Sequence, residues 1–271
     1  MAVDHYENFP VASILLPGHL RRPVEIIYRF ARQADDFADE GDFSNQERLA
    51  RLDTFRAELQ RIAEHQPPQT ALFVEVAGIV AEYHLPLALF FDLLDAFSQD
   101  VVKKRYANFT ELLDYCRRSA NPVGRLLLHL YQEATPQNLI YSDAICTSLQ
   151  LINFWQDVKK DYAIGRIYLP QDEMLRFKVS EAYLSQVMAD KAWRDLMHFQ
   201  VTRTRNLMQS GAPLGSLLTG RIGLEMRLII AGGNRILGKL CSVNFDIFNR
   251  RPVLRMHDWV IMLLHSAPFR F

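Results

Sequence analysis

No stretch of the sequence approaches the roughly 18 consecutive apolar residues that a membrane-crossing helix needs. The opening segment MAVDHYENFP carries no apolar run behind a basic one, so no signal peptide is expected. Cysteine is scarce. Cys116, Cys146 and Cys241 lie far apart and form no C-x-x-C pair, so they read as small buried apolar residues in a reducing compartment. Excess charge of either sign is also missing: Lys+Arg and Asp+Glu both total 31, and no positive field marks a nucleic-acid partner. Alternating strand patterns, internal repeats and linkers are absent. So is a G-x-G-x-x-G nucleotide fingerprint, and no Glu has a His three residues later, which removes the Glu-x-x-His sets of a di-iron bundle.

What is present is helical patterning in a chain of 271 residues, 49% of them apolar, enough for one large all-α domain with a buried core. Helices are expected from Pro23 through Asp39, with Pro23 in the first turn, and over 46–64, 70–83, 86–103, 109–132, 137–162, 180–209, 214–241 and 252–265. Asn121-Pro122-Val123-Gly124 should kink or break its helix. It is either a plain junction or a place where freed backbone groups line a cavity. The run Trp259 to Leu264 is too short to span a bilayer; it either packs as a helix or touches a membrane surface.

Two carboxylate clusters carry the chemistry. In the first, Asp35 and Asp39 are four residues apart on one helix face, with Asp36 beside them. In the second, Asn153, Asp157 and Asp161 recur every four residues as one stripe of oxygen ligands. Both segments also carry bulky apolar residues, among them Phe30, Phe37, Leu151, Ile152, Phe154 and Trp155, so solvated acidic faces explain them poorly. Carboxylates at a buried edge need a cation. Oxygen ligands without His or Cys favour Mg²⁺, which shares substrate phosphates and water.

These residues resemble the squalene/phytoene synthase family. Tyr28, Arg32, Asp35, Asp36 and Asp39 match its first signature, Y-x-x-x-R-x-x-D-D-x-x-D; Gln150, Asn153, Asp157 and Asp161, followed by Gly165 to Pro170, match its second. The resemblance covers about residues 5–255. It implies a single-domain, all-α isoprenoid-synthase bundle with a central cavity, in which the two Asp-bearing helices face each other and clamp Mg²⁺–diphosphate. By position, Asp35, Asp39, Asn153, Asp157 and Asp161 would be metal ligands or their close partners, and Asp36 a supporting carboxylate. Tyr28, Arg32, Gln150, Arg166 and Arg250 would contact substrate, the arginines through two-pronged hydrogen bonds to diphosphate.

Glu7-Asn8-Phe9-Pro10-Val11-Ala12-Ser13 resembles the hydroxysqualene synthase branch of bacterial hopanoid pathways, with Asn8 as a further substrate contact. Glu7 and Asn8 stand where condensing relatives present Ser or Lys donors, Gln156 where relatives carry Arg, and Gly233 where many carry Tyr. Such losses suit one diphosphate better than two. The resemblance then implies Mg²⁺-assisted loss of diphosphate from presqualene diphosphate, rearrangement of the cation beside aromatic faces (Phe30, Phe37, Phe154, Trp155 or Tyr131) and quenching by water. His5, Glu7 or Asn8 could position that water, and no NADPH is expected. A condensing prenyl synthase and a non-catalytic assembly factor are the other readings. A cytoplasmic protein with peripheral contact at the inner membrane surface is expected; oligomeric state is not legible.

Overall fold

Apolar side chains recurring every three or four residues give most segments one face that only burial satisfies, and the chain answers with helices. The structure, a computed structural model, describes residues 16–185 and 189–266. Among the described residues there are thirteen helices and no strand: α1 Gly18–Asp39, α2 Asn45–Ala63, α3 Ala71–Tyr83, α4 Leu87–Val102, α5 Phe109–Ser119, α6 Asn121–Leu130, α7 Pro136–Ala163, α8 Gln171–Arg176, α9 Glu181–Ser185, α10 Lys191–Gly211, α11 Leu214–Leu217, α12 Gly220–Ser242 and α13 Met256–Ser266. They fall into two compact units. One holds residues 16–103 and 114–139, the other 104–113 and 140–266.

In the first unit α1 lies against α2, α3 and α4. Phe30 has no accessible surface and meets the rings of Phe55, Phe73 and Phe90 at centroid distances of 5.6, 5.9 and 5.2 Å. Burying a side chain of this size contributes about 1.5–3 kcal/mol, so this cluster fixes α1. The helix starts at Gly18, which puts Pro23 one turn deeper than its sequence position suggests. Buried Leu16 and Leu20 hold the added turn. The carbonyl that Pro23 cannot serve belongs to exposed His19, where water reaches it. Ser44 and Glu47 close a capping box at the start of α2.

The expected helix 109–132 is two helices. Pro122 falls in the first turn of α6, where its missing N–H costs nothing, so the plain-junction reading accounts for the break. The expected 180–209 helix is α9 and α10, with Asp190 capping α10 by accepting from the Trp193 amide at 3.0 Å. Segment 214–241 is α11 and α12, parted where Gly220 takes φ +59°.

In the second unit the fully buried Trp155 and Trp193 donate to Thr204 Oγ1 and the Phe245 carbonyl, both at 2.8 Å. α8, which the sequence pattern did not reveal, is docked by one polar group. Glu173 is buried and receives two bonds from Arg203, at 2.5 and 2.9 Å, and one from Gln200 at 2.6 Å. The Arg203 guanidinium lies 3.2 Å over the Phe109 ring. α13 is latched to α12 by Asp258, whose side chain has no accessible surface. It accepts from Arg235 Nε and the Arg255 amide, each at 2.7 Å, and from Lys239. Burial alone would push its carboxyl up; the hydrogen bonds from Lys239, Arg255 and Arg235 reverse that and hold it below the usual carboxylate range.

Arg203→Met removes the guanidinium and leaves Glu173 buried without its cation. The expected loss is about 2–4 kcal/mol of unfolding free energy in urea titrations; an unchanged midpoint would show that the pair does not hold α8. Asp258 stabilises the fold above the unfolded carboxyl pKa of about 4, and that contribution fades as pH falls further. Asp258→Asn should therefore melt below the parent at neutral pH, with the gap narrowing at about pH 3. A gap that is constant with pH would contradict the latch.

Candidate active site

The accessible stripe of α1 carries the first motif. Tyr28, Arg32, Asp35 and Asp36 are half-buried and Asp39 is exposed, while Phe30, Ala34 and Ala38 face the core. Arg32 gathers the cluster: Nη1 lies 3.2 Å from Asp35, and Nη2 lies 2.7 Å from both Asp36 and Glu40. The carboxylates crowd the C-terminal turn, where the helix dipole is negative and no basic residue is present. Burial, and then the charge of Asp39, push Asp35 up to about 7 against the pull of Arg32; Asp100 and Asp36 add to the rise. Oxygen donors gathered in this way around one guanidinium fit a divalent cation.

Asp100 was not anticipated from sequence. It is buried on α4 and accepts a 2.7 Å bond from the Tyr115 hydroxyl. Its helix LALFFDLLDAFSQDVV also carries Asp92 and Asp95, so the sequence offered no signal that singled it out.

On α7 the second motif occupies an accessible stripe. Cys146, Leu149, Gln150, Asp157 and Asp161 are half-buried and Asn153 is exposed, while Leu151, Ile152, Phe154, Trp155, Gln156 and Val158 beside them are buried. Asp157 is gripped by Arg251 through two bonds of 2.6 and 2.8 Å, with Lys160 at 3.5 Å. Gln156 donates to the Pro252 carbonyl at 2.6 Å, and Lys159 to that of Phe248 at 3.1 Å. Residues 248–252 are thus strapped along α7. Arg250 lies exposed on that strap, and the arginine on the motif carboxylate is its neighbour Arg251, which motif matching missed. After α7, Gly165 takes φ +79°, a conformation that turns the chain back so that the Arg166 amide reaches the Asp161 carbonyl at 2.7 Å. Arg166 is buried there. Ile167 and Gln171 then bond the carbonyls of Lys104 and Tyr106.

Among the described residues no three His, Cys, Asp or Glu converge into a metal cage. The donors fit Mg²⁺ held through one or two carboxylates, with water and phosphate completing its shell. Asp157 keeps lone pairs for a metal even while Arg251 occupies it. Two described clefts, of about 400 and 570 Å³, are lined by Arg22, Glu75 and Tyr83, and by His65, Val80 and Leu87; neither includes a motif residue. Of the aromatic candidates, Phe30 and Trp155 are core. Phe154 stacks on Tyr168 with ring centroids 3.8 Å apart, and Phe37 packs edge-on to Phe55. His5, Glu7 and Asn8 lie outside the described residues.

The profile of the squalene/phytoene synthase family matches residues 2–258. A hydroxysqualene synthase of Rhodopseudomonas palustris is 36% identical over 94% of this chain and 86% of that protein. One of Zymomonas mobilis is 36% identical over 82% and 75%. Proteins named phytoene synthase also match, one of Synechococcus elongatus at 27% over 90% of this chain and 83% of its own. The crystal structure of a squalene synthase of Alicyclobacillus acidocaldarius superposes with a TM-score of 0.82 at 34% identity, covering 89% of this chain and 90% of that one. The all-α bundle is therefore the isoprenoid-synthase fold, and the chain belongs to the squalene/phytoene synthase family, on the side that carries the hydroxysqualene synthases.

Proposed function

We propose that this isoprenoid synthase is a hydroxysqualene synthase, which takes presqualene diphosphate, releases diphosphate and delivers water to the rearranged cation. The observation that carries this reading is the fate of two positions where many relatives carry diphosphate-side donors. Gln156 is buried and spends its amide on the Pro252 carbonyl. At Gly233 an added Cβ would stand 2.6 Å from Met208 Cε and 3.3 Å from Ile152 Cδ1, so helix packing takes the place of a phenol. With those donors absent, one diphosphate is served better than two. The phytoene synthases among the relatives favour a condensing synthase as the second reading.

Asp35, Asp39, Asn153, Asp157 and Asp161 would hold Mg²⁺, with Asp36 beside them; the metal, when bound, supplies charge neutralisation at the leaving diphosphate. Arg32 and Arg166 bind diphosphate oxygens through charge-assisted hydrogen bonds that strengthen as negative charge develops. Tyr28 and Gln150 donate neutral hydrogen bonds that orient the substrate. Arg251 holds Asp157 in a fixed rotamer, so this ligand is set before substrate arrives. No reductant enters the scheme. Substrate and product are long hydrocarbons, so we also place the enzyme's work beside a membrane surface.

Presqualene diphosphate and farnesyl diphosphate are to be offered in parallel with Mg²⁺ and without NADPH. Hydroxysqualene is expected from the first only. Asp157→Ala should lower its formation by about 10²-fold or more. Turnover of farnesyl diphosphate would make the protein a condensing synthase, and inertness of folded protein toward both would point to an assembly factor. Gly233→Tyr should cost about 1–3 kcal/mol in urea unfolding, because Met208, Ile152 and Leu149 leave no room for a phenol; no loss would remove the packing argument.

A further inference from the structure

α13 has one buried side and one apolar exposed side. The buried side holds Met262, 2% exposed, and the ion-paired Asp258, 0% exposed. On the other, Met256, Val260 and Leu263 recur at i, i+4 and i+7 and stand 80%, 54% and 48% exposed. A surface helix ordinarily keeps its outward side polar, and contiguous exposed apolar stripes mark interaction surfaces. Trp259 is half-buried next to the stripe.

The exposed charge on this segment has one sign. Arg250 and Arg255 are exposed, and the His257 side chain is 61% exposed. Asp258 is the sole carboxylate between residues 250 and 263, and it is buried and neutralised by Arg235 and Lys239. Residues 250–263 therefore show solvent an apolar ridge with a cationic margin and no exposed anion. At eleven residues α13 is too short to cross a bilayer, but an amphipathic helix of this kind can lie in the headgroup plane.

We propose that α13 is the protein's membrane-contact element and that its partner is a bilayer containing anionic lipid. Met256, Val260 and Leu263 enter the boundary between headgroups and acyl chains, while Arg250 and Arg255 meet lipid phosphates. A second copy of the chain fits less well, because pairing two such faces would oppose two cationic margins. The inference rests on the peripheral location proposed above and names its element and lipid class.

The test is sedimentation of the full chain with vesicles of equimolar phosphatidylglycerol and phosphatidylcholine, and with phosphatidylcholine alone. Binding to the anionic vesicles is expected, falling as salt is raised and weakened by Arg255→Gln. Met256→Glu/Val260→Glu/Leu263→Glu should bind about tenfold more weakly or worse, with its circular dichroism melt and its turnover of detergent-dispersed substrate unchanged. Three outcomes would overturn the proposal: wild-type protein left in the supernatant, equal binding by the triple variant, or a dimer in light scattering that the triple variant dissolves without any vesicle binding. Vesicle binding is read without turnover, so failure here is separable from failure of the proposed chemistry.

Discussion

A carboxylate near the carbonyl end of a helix sits where the backbone dipole is already negative, and both acidic helices of this protein end that way. On α1 the last turn holds Asp36 and Asp39 and no basic residue; on α7, Asp157 and Asp161 occupy the final two turns. Local preference opposes both arrangements. They persist because burial elsewhere on each helix outweighs it, through the Phe30 cluster on α1 and Trp155 with its neighbours on α7. Each acidic helix keeps unfavourable charge in place by burying its other faces.

The two helices temper that charge differently. Arg32 on α1 is local, three and four residues from its partners, and it divides one guanidinium among three carboxylates. Arg251 is remote in sequence and gives both prongs to Asp157 alone. On α1, burial and then the charge of Asp39 raise the Asp35 pKa against the pull of the shared guanidinium. The α7 carboxylate is already balanced.

Much of this was legible in sequence because it is local. Composite motifs on one helix keep their spacing, and Asn153, Asp157 and Asp161 do form the accessible stripe of a helix whose neighbouring positions are buried. Apolar periodicity likewise placed α2, α3, α4 and α7 to within a turn. What escaped depends on contacts distant in the chain. α8 has six residues and no periodicity of its own; it exists because Glu173 reaches Arg203. Asp100 looks like any helical aspartate until Tyr115 and Asp35 are placed beside it. Arg250 and Arg251 cannot be told apart by motif, since a turn decides which of them reaches α7. The break at Pro122 was legible from its proline, whereas the one before Gly220 was not, because a glycine inside an apolar helical pattern does not announce a positive φ.

The Arg251–Asp157 fork spans 94 positions, and the strap that carries it is followed by the helix that Asp258 latches. During synthesis α7 emerges long before the residues that neutralise and cover it. Until residues 248–258 arrive, the second unit has its tryptophans available to collapse around but an unbalanced carboxylate at its edge. The fork therefore joins early chain to late chain. A chain cut short before residue 248 would carry the Asp157 stripe of α7 without the Arg251 fork that restrains it.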